Sequence, residues 1–167
     1  MRPYCIAIAG AVGSSKTMIA SYLSQNLNIA VLNNDVLRDQ VRESIGSFDE
    51  SAYEKLREQK LQSLMDKKLP FIYDASIDRR WSELKAKLVA NDYGYFVISL
   101  DYTKPLIEKL LIARGSDTST LDKYTSDHDN FLKHYGSEVN LTLSDKDFDN
   151  SLEIGLDAIQ DWLKSRV

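Results

Sequence analysis

The sequence predicts an α/β three-layer sandwich, a parallel sheet covered by helices on both faces, and three observations point to it. Five short apolar runs alternate with helical patterns, the order that a parallel sheet with right-handed crossovers requires. The first run passes without a spacer into a glycine-rich loop and then a helix. The second and third runs close on aspartates, at the strand ends where open α/β sheets bind their ligands.

Tyr4 to Ala9 reads as the first strand. It leads into Gly10-Ala11-Val12-Gly13-Ser14-Ser15-Lys16-Thr17, and Met18 to Leu27 follows as a helix. A polyphosphate needs converging amide N–H donors, a helix N-terminus behind them and one ammonium that reaches the outer phosphates. Gly10 and Gly13 let the backbone fold back, Lys16 supplies the ammonium, and the Thr17 hydroxyl is placed to ligate magnesium. This is a Walker A loop with one departure, Ser15, which stands where the motif has its second glycine. A Cβ there crowds the approach of backbone to phosphate. The competing reading is a degenerate loop that only turns the chain; the strand before and the helix after favour nucleotide binding.

Ile29 to Leu32 is a short buried strand ending at Asn33-Asn34-Asp35, and Arg38 shares a face with Asp35 if a helix starts there. Asp35 is either a functional carboxylate or that helix's N-cap. A helix from Asp49 to Leu69 carries Tyr53, Leu56, Leu61, Leu64 and Met65 inward, and Pro70 ends it. Phe71 to Asp74 is the third strand. An apolar strand closing on an acid is the Walker B arrangement, with Asp74 holding magnesium directly or through water; the alternative is a turn-forming aspartate. Asp78 to Asn91 is a helix with Gly94 as its C-cap signal. Arg79 and Arg80 at its start do not suit the helix dipole, so they face either a phosphate or solvent.

Tyr95 to Leu100 is the fourth strand, and the helix from Thr103 ends at Arg114-Gly115. The polar segment that follows has a thin helical stripe of Leu121, Tyr124, Phe131, Leu132 and Tyr135, which suits either a lid over the phosphates, spanning approximately residues 114–136, or an ordinary surface helix. His128 and His134 lie too far apart for a metal pair on one face. Val139 to Leu143 is the last strand, and Phe148, Leu152, Leu156, Ile159 and Leu163 line a final helix. Cys5, alternating into the first strand, reads as a buried inert thiol.

At 167 residues a single domain, 1–167, is expected. The formal charge of −4 gives no overall basic field, which disfavours nucleic acid and anionic membranes as partners. No apolar run approaches the roughly 20 residues of a membrane span, and no signal-peptide pattern is present, so a cytoplasmic chain is expected. The converging strand ends bring Lys16, Thr17, Asp35, Arg38 and Asp74 to one edge. There they supply a phosphate cradle, a metal anchor and a carboxylate able to accept a hydroxyl proton. No D-x-x-G follows the third strand, since Asp74 is followed by Ala75-Ser76-Ile77, and no N-K-x-D follows a later one, which argues against a GTPase.

At these residues the chain resembles the P-loop kinases of the polynucleotide kinase and zeta-toxin-like group, over nearly its whole length. GAVGSSKT is similar to the group's phosphate loop, NNDVLR to its element after the second strand, YDASIDRRW to its segment after the third, and residues 113–119 to its lid motif. The resemblance implies a P-loop NTPase sandwich with sheet order 2-3-1-4-5 and a helical lid, with ATP and Mg2+ bound. It implies Lys16 on the β- and γ-phosphates, Thr17 on magnesium, Asp35 as general base, Arg38 as substrate clamp, Asp74 in the outer coordination sphere of the metal, and Arg114 in the lid. Two departures are Ser15 and a lid with the single arginine Arg114. The expected activity is transfer of the ATP γ-phosphoryl group to a hydroxyl of a small acceptor. The alternatives are a nucleotide-dependent binding or regulatory module and, against the acidic balance, a nucleic-acid 5′-hydroxyl kinase.

Overall fold

The computed structural model describes residues 2–166. Its strands, β1 (Tyr4–Ala9), β2 (Ala30–Asn33), β3 (Phe71–Asp74), β4 (Gly94–Asp101) and β5 (Leu141–Ser144), are all parallel and lie in the order β2-β3-β1-β4-β5. The helices are α1 (Lys16–Leu27), α2 (Asn34–Ile45), α3 (Glu50–Asp66), α4 (Trp81–Ala90), α5 (Lys104–Ala113), α6 (Leu121–Tyr135) and α7 (Ser151–Lys164).

All six residues of the central strand β1 are buried, and the two-residue period of a strand divides them between two cores. Cys5, Ala7 and Ala9 face one layer, where small side chains leave room for Trp81 of α4 and Phe131 of α6 beside Leu37 of α2 and Tyr53 and Met65 of α3. Tyr4, Ile6 and Ile8 face the other layer, with Ile19 and Leu23 of α1, Ile107 and Leu111 of α5 and Ile159 of α7. The expected three-layer sandwich is therefore formed, burying β1 on both faces as parallel sheets require. Cys5 is fully buried, and burial pushes its thiol pKa upward, in keeping with an inert side chain.

This topology sets the place of the site. β1 runs between β3 and β4, and the β2–β3 register puts Asn33 opposite Asp74. The loop after Ala9, the start of α2 and the end of β3 consequently share the carboxyl edge of the sheet. Several boundaries differ from the sequence expectation, each for a local reason. Gly94 opens β4 instead of capping α4, whose C-cap is Asn91. Residues 78–80 form a turn, so α4 starts at Trp81. Gly136 to Glu138 form a 3-10 turn that delays β5 to Leu141, and a second 3-10 segment, Asp145–Asn150, holds Phe148 ahead of α7. No helix among the described residues is long and apolar enough to cross a membrane.

Candidate active site

The loop from Gly10 to Lys16 turns tightly enough to depend on glycine. Gly13 has φ 90°, and a Cβ there would lie 2.6 Å from the buried Leu111 side chain, so this position excludes other residues both by backbone and by space. Ser14 fixes the bend from within, its hydroxyl donating to the Ala11 carbonyl at 2.6 Å and its N–H to the same oxygen at 3.1 Å. α1 then begins at Lys16 with no side-chain cap on its first amides. The N–H groups of a helix's first turn have no intrahelical acceptor, so an anion at the mouth of this loop meets unpaired donors at the positive end of the helix dipole. That orphaned set is what a polyphosphate fits.

Lys16 folds over the loop, its Nζ donating to the Gly10 and Ala11 carbonyls at 2.7 and 2.9 Å. Burial lowers the pKa of its ammonium, with Asp78 and Asp74 opposing that shift. Ser15 sits in the left-handed region at φ 70° and ψ 29°. Its hydroxyl accepts a 2.7 Å hydrogen bond from Arg114, the residue that closes α5. The serine that departs from the loop motif thus ties the predicted lid arginine to the loop.

The two acids occupy different environments. Asp74, at the end of β3, is buried, and burial raises its pKa against the hydrogen bonds it receives from the Thr17 hydroxyl and the Asn33 amide. Asp35, on the first turn of α2, is exposed. It is not the N-cap: that place belongs to Asn33, whose side chain accepts from the Val36 N–H at 2.9 Å. Asn33 therefore binds both the helix start and Asp74, and it leaves the Asp35 carboxylate out of the capping bonds. Its charge still acts on both Lys16 and Asp74, which puts the three groups within electrostatic reach of one another.

Between them opens a cleft of about 630 Å³ lined by the loop, by Asn33, Asp35 and Arg38, by Tyr53 and Arg57 of α3, and by Asp74, Arg79, Arg80, Arg114 and Tyr124. Six basic side chains, Lys16, Arg38, Arg57, Arg79, Arg80 and Arg114, face three acids there, Asp35, Glu50 and Asp74, on a chain of net charge −4. The positive charge is concentrated where a polyanion would bind. Arg38 stacks on Tyr53 at 5.3 Å, and its buried Nε has no hydrogen-bond partner among the described residues. Arg80 is paired with Glu54, which it meets at 2.7 and 3.1 Å and which also pairs with Arg57 at 2.5 Å. The hydrogen bond from Arg80 holds the Glu54 carboxyl below its ordinary pKa. Arg79 pairs with Asp127 at 3.4 Å.

No protein-family model and no curated protein matches the chain. Solved structures do. A gluconokinase from Sinorhizobium meliloti 1021 aligns over 98% of this chain and 95% of its own at 14% identity and a TM-score of 0.65. The shikimate kinase of Aquifex aeolicus aligns over 94% and 96% at 17% identity and a TM-score of 0.59. The fold is that of P-loop kinases. The APS kinase of Mycobacterium tuberculosis, solved with AMPPNP and APS, shares it at 16% identity and a TM-score of 0.59, over 95% of this chain and 98% of its own. Within this P-loop kinase fold the neighbours do not single out the polynucleotide kinase and zeta-toxin-like group.

Every residue that the sequence singled out for the site lies at or beside this cleft: the loop 10–17, Asp35, Arg38, Asp74 and Arg114. Tyr53 and Arg57 of α3 line the cleft, whereas Arg42 of α2 is exposed and paired with Asp39. Sequence reasoning missed Asn33, whose place before an acidic first turn was a legible cap signal, and Asp78 and His128, which carry no local signal.

Proposed function

We propose that the protein transfers the γ-phosphoryl group of Mg-ATP to a hydroxyl of a small-molecule acceptor. The observation that carries this reading is the meeting of an uncapped helix start, Lys16, the Thr17–Asp74 pair and the uncommitted Asp35 carboxylate in one cleft rich in arginine. The P-loop kinase fold of the neighbours supports it, as does the resemblance of the loop and of NNDVLR to the polynucleotide kinase and zeta-toxin-like group.

Phosphoryl transfer asks the protein chiefly for positioning and charge neutralisation. The amides of the loop and Lys16 hold the β- and γ-phosphates. Thr17 and Asp74 are the residues that would hold magnesium, a hard cation that takes oxygen ligands. An ion held there would supply charge neutralisation for the transferring phosphoryl group. Asp35 accepts the proton of the incoming hydroxyl, and Arg38, one helical turn on, holds the acceptor beside it. Arg114, already tethered to Ser15, screens the transferring group.

The test is ATP consumption against a panel of hydroxylated acceptors, with and without magnesium. Magnesium-dependent turnover that Asp35→Asn removes while ATP binding persists is the expected result. Unchanged turnover in that variant would strike Asp35 from the mechanism. Tight ATP binding with no turnover against any acceptor would instead select the alternative, a nucleotide-dependent regulatory module.

A further inference from the structure

The groups behind the phosphate loop take no part in the reading above. Asp78, in the turn between β3 and α4, is buried, and its Oδ1 accepts the Gly10 N–H at 3.2 Å. The same oxygen lies 3.4 Å from Nδ1 of His128. His128 projects from α6 into the body of the protein, where it is buried and stacked on Phe131. Its Nε2 meets Oδ1 of Asp101, the last residue of β4, at 2.9 Å, and Ser99 donates to that same oxygen. Ser99 is fully buried, so this Asp–His–Ser contact offers no nucleophile to a substrate.

An imidazole with a carboxylate at each nitrogen serves both only when it carries both protons. Burial opposes that charge, but the hydrogen bonds to Asp101 and Asp78 prevail and push the His128 pKa up to about 9. Burial likewise opposes the charge of Asp101, and the bonds from His128 and Ser99 outweigh it, leaving the carboxyl below its ordinary pKa. Asp78 and Asp101 are the charged groups facing the ring, and Lys16 acts on Asp78 from α1. The chain of contacts runs from α6 through His128 to Asp78 and ends on the first amide of the phosphate loop. Fixing that amide fixes where the following N–H groups converge.

We propose that Asp78 is a positioning residue of the phosphate loop, held in place by a doubly protonated His128 that bridges it to Asp101, so that docking of α6 and affinity for a nucleotide polyphosphate rise and fall together. The affinity half rests on the phosphate-binding reading of the loop; the linkage of His128 to Gly10 does not. Loss of one imidazole proton leaves one of the two carboxylates without its donor and lets Asp78 drift from the Gly10 amide.

Two measurements test this. In the wild-type protein without nucleotide, an NMR pH titration should move the Gly10 amide with the same midpoint as the His128 ring, and His128→Gln should abolish that step while sparing any step from Lys16. A Gly10 amide indifferent to the His128 midpoint overturns the linkage, whether or not any variant folds. Calorimetry with Mg-ADP at pH 7 then reads the affinity half. Asp78→Ala and His128→Gln should each weaken binding roughly tenfold, the worth of one buried charge-assisted hydrogen bond. Asp78→Asn, which keeps an acceptor for the Gly10 amide, should stay within about threefold of wild type. A folded Asp78→Ala protein with wild-type affinity overturns the positioning role. No Mg-ADP binding by the wild type sinks the phosphate-binding reading itself, and the Gly10 titration then decides the linkage alone.

Discussion

Ser15 carries a Cβ at φ 70°, a conformation that costs a residue with a side chain about 1–2 kcal/mol. In exchange its hydroxyl holds Arg114, an exposed guanidinium whose single hydrogen bond is worth less than that. Ser15→Gly is therefore expected to raise stability by about 1 kcal/mol, read as a higher Tm, while releasing Arg114; a lower Tm would mean that the tether outweighs the strain. Lys16, Thr17, Asp35 and Asp74 were legible in the sequence because a motif or a strand end marks each. Asp78 and His128 were not, since their partners lie 68, 50 and 27 residues away, at Gly10, Asp78 and Asp101. No local pattern encodes a contact of that kind.

At the level of elements, the start of α2 and the end of β3 are coupled through Asn33. Its oxygen caps α2, and its amide nitrogen donates to Asp74. Asn33→Ala removes both bonds: the lost cap costs about 1 kcal/mol, and Asp74 loses one of the donors that favour its ionised form. The expected outcome is a lower Tm together with weaker magnesium dependence of ATP binding; a Tm loss with the magnesium titration unchanged would separate the cap from the metal site. The alternation of strands and helices was readable because each run is short and bounded. The start of α4 was not, because Asp78 is drawn to Gly10 and the helix waits until Trp81. The α6 stripe was read without His128, a polar residue that two distant carboxylates make at home in the interior. The partner of Arg80 was not legible either, since Glu54 lies 26 residues earlier on another helix.

The whole molecule answers pH through the same imidazole. The His128 pKa is raised from 6.5 to about 9, so its contribution to stability is complete below about pH 6.5 and is lost as pH rises through about 9. The Tm should fall between these limits, and His128→Gln should flatten that part of the profile; an equal fall in the variant would assign it to another group. The charge distribution acts at this scale as well, a basic cleft on an acidic chain, and ATP affinity should weaken as salt screens it. The proposed phosphoryl transfer depends on the loop from Gly10 to Thr17 gripping a triphosphate. The most direct test of that grip is the thermal shift produced by Mg-ATP in the wild type and in Lys16→Ala. At about 100 times Kd a ligand adds about 2.7 kcal/mol, roughly 6 °C for a chain of this size. A shift of that order is expected in the wild type and its loss in Lys16→Ala; no shift in the wild type, or an equal shift in both, would mean that this loop and its lysine do not hold the nucleotide.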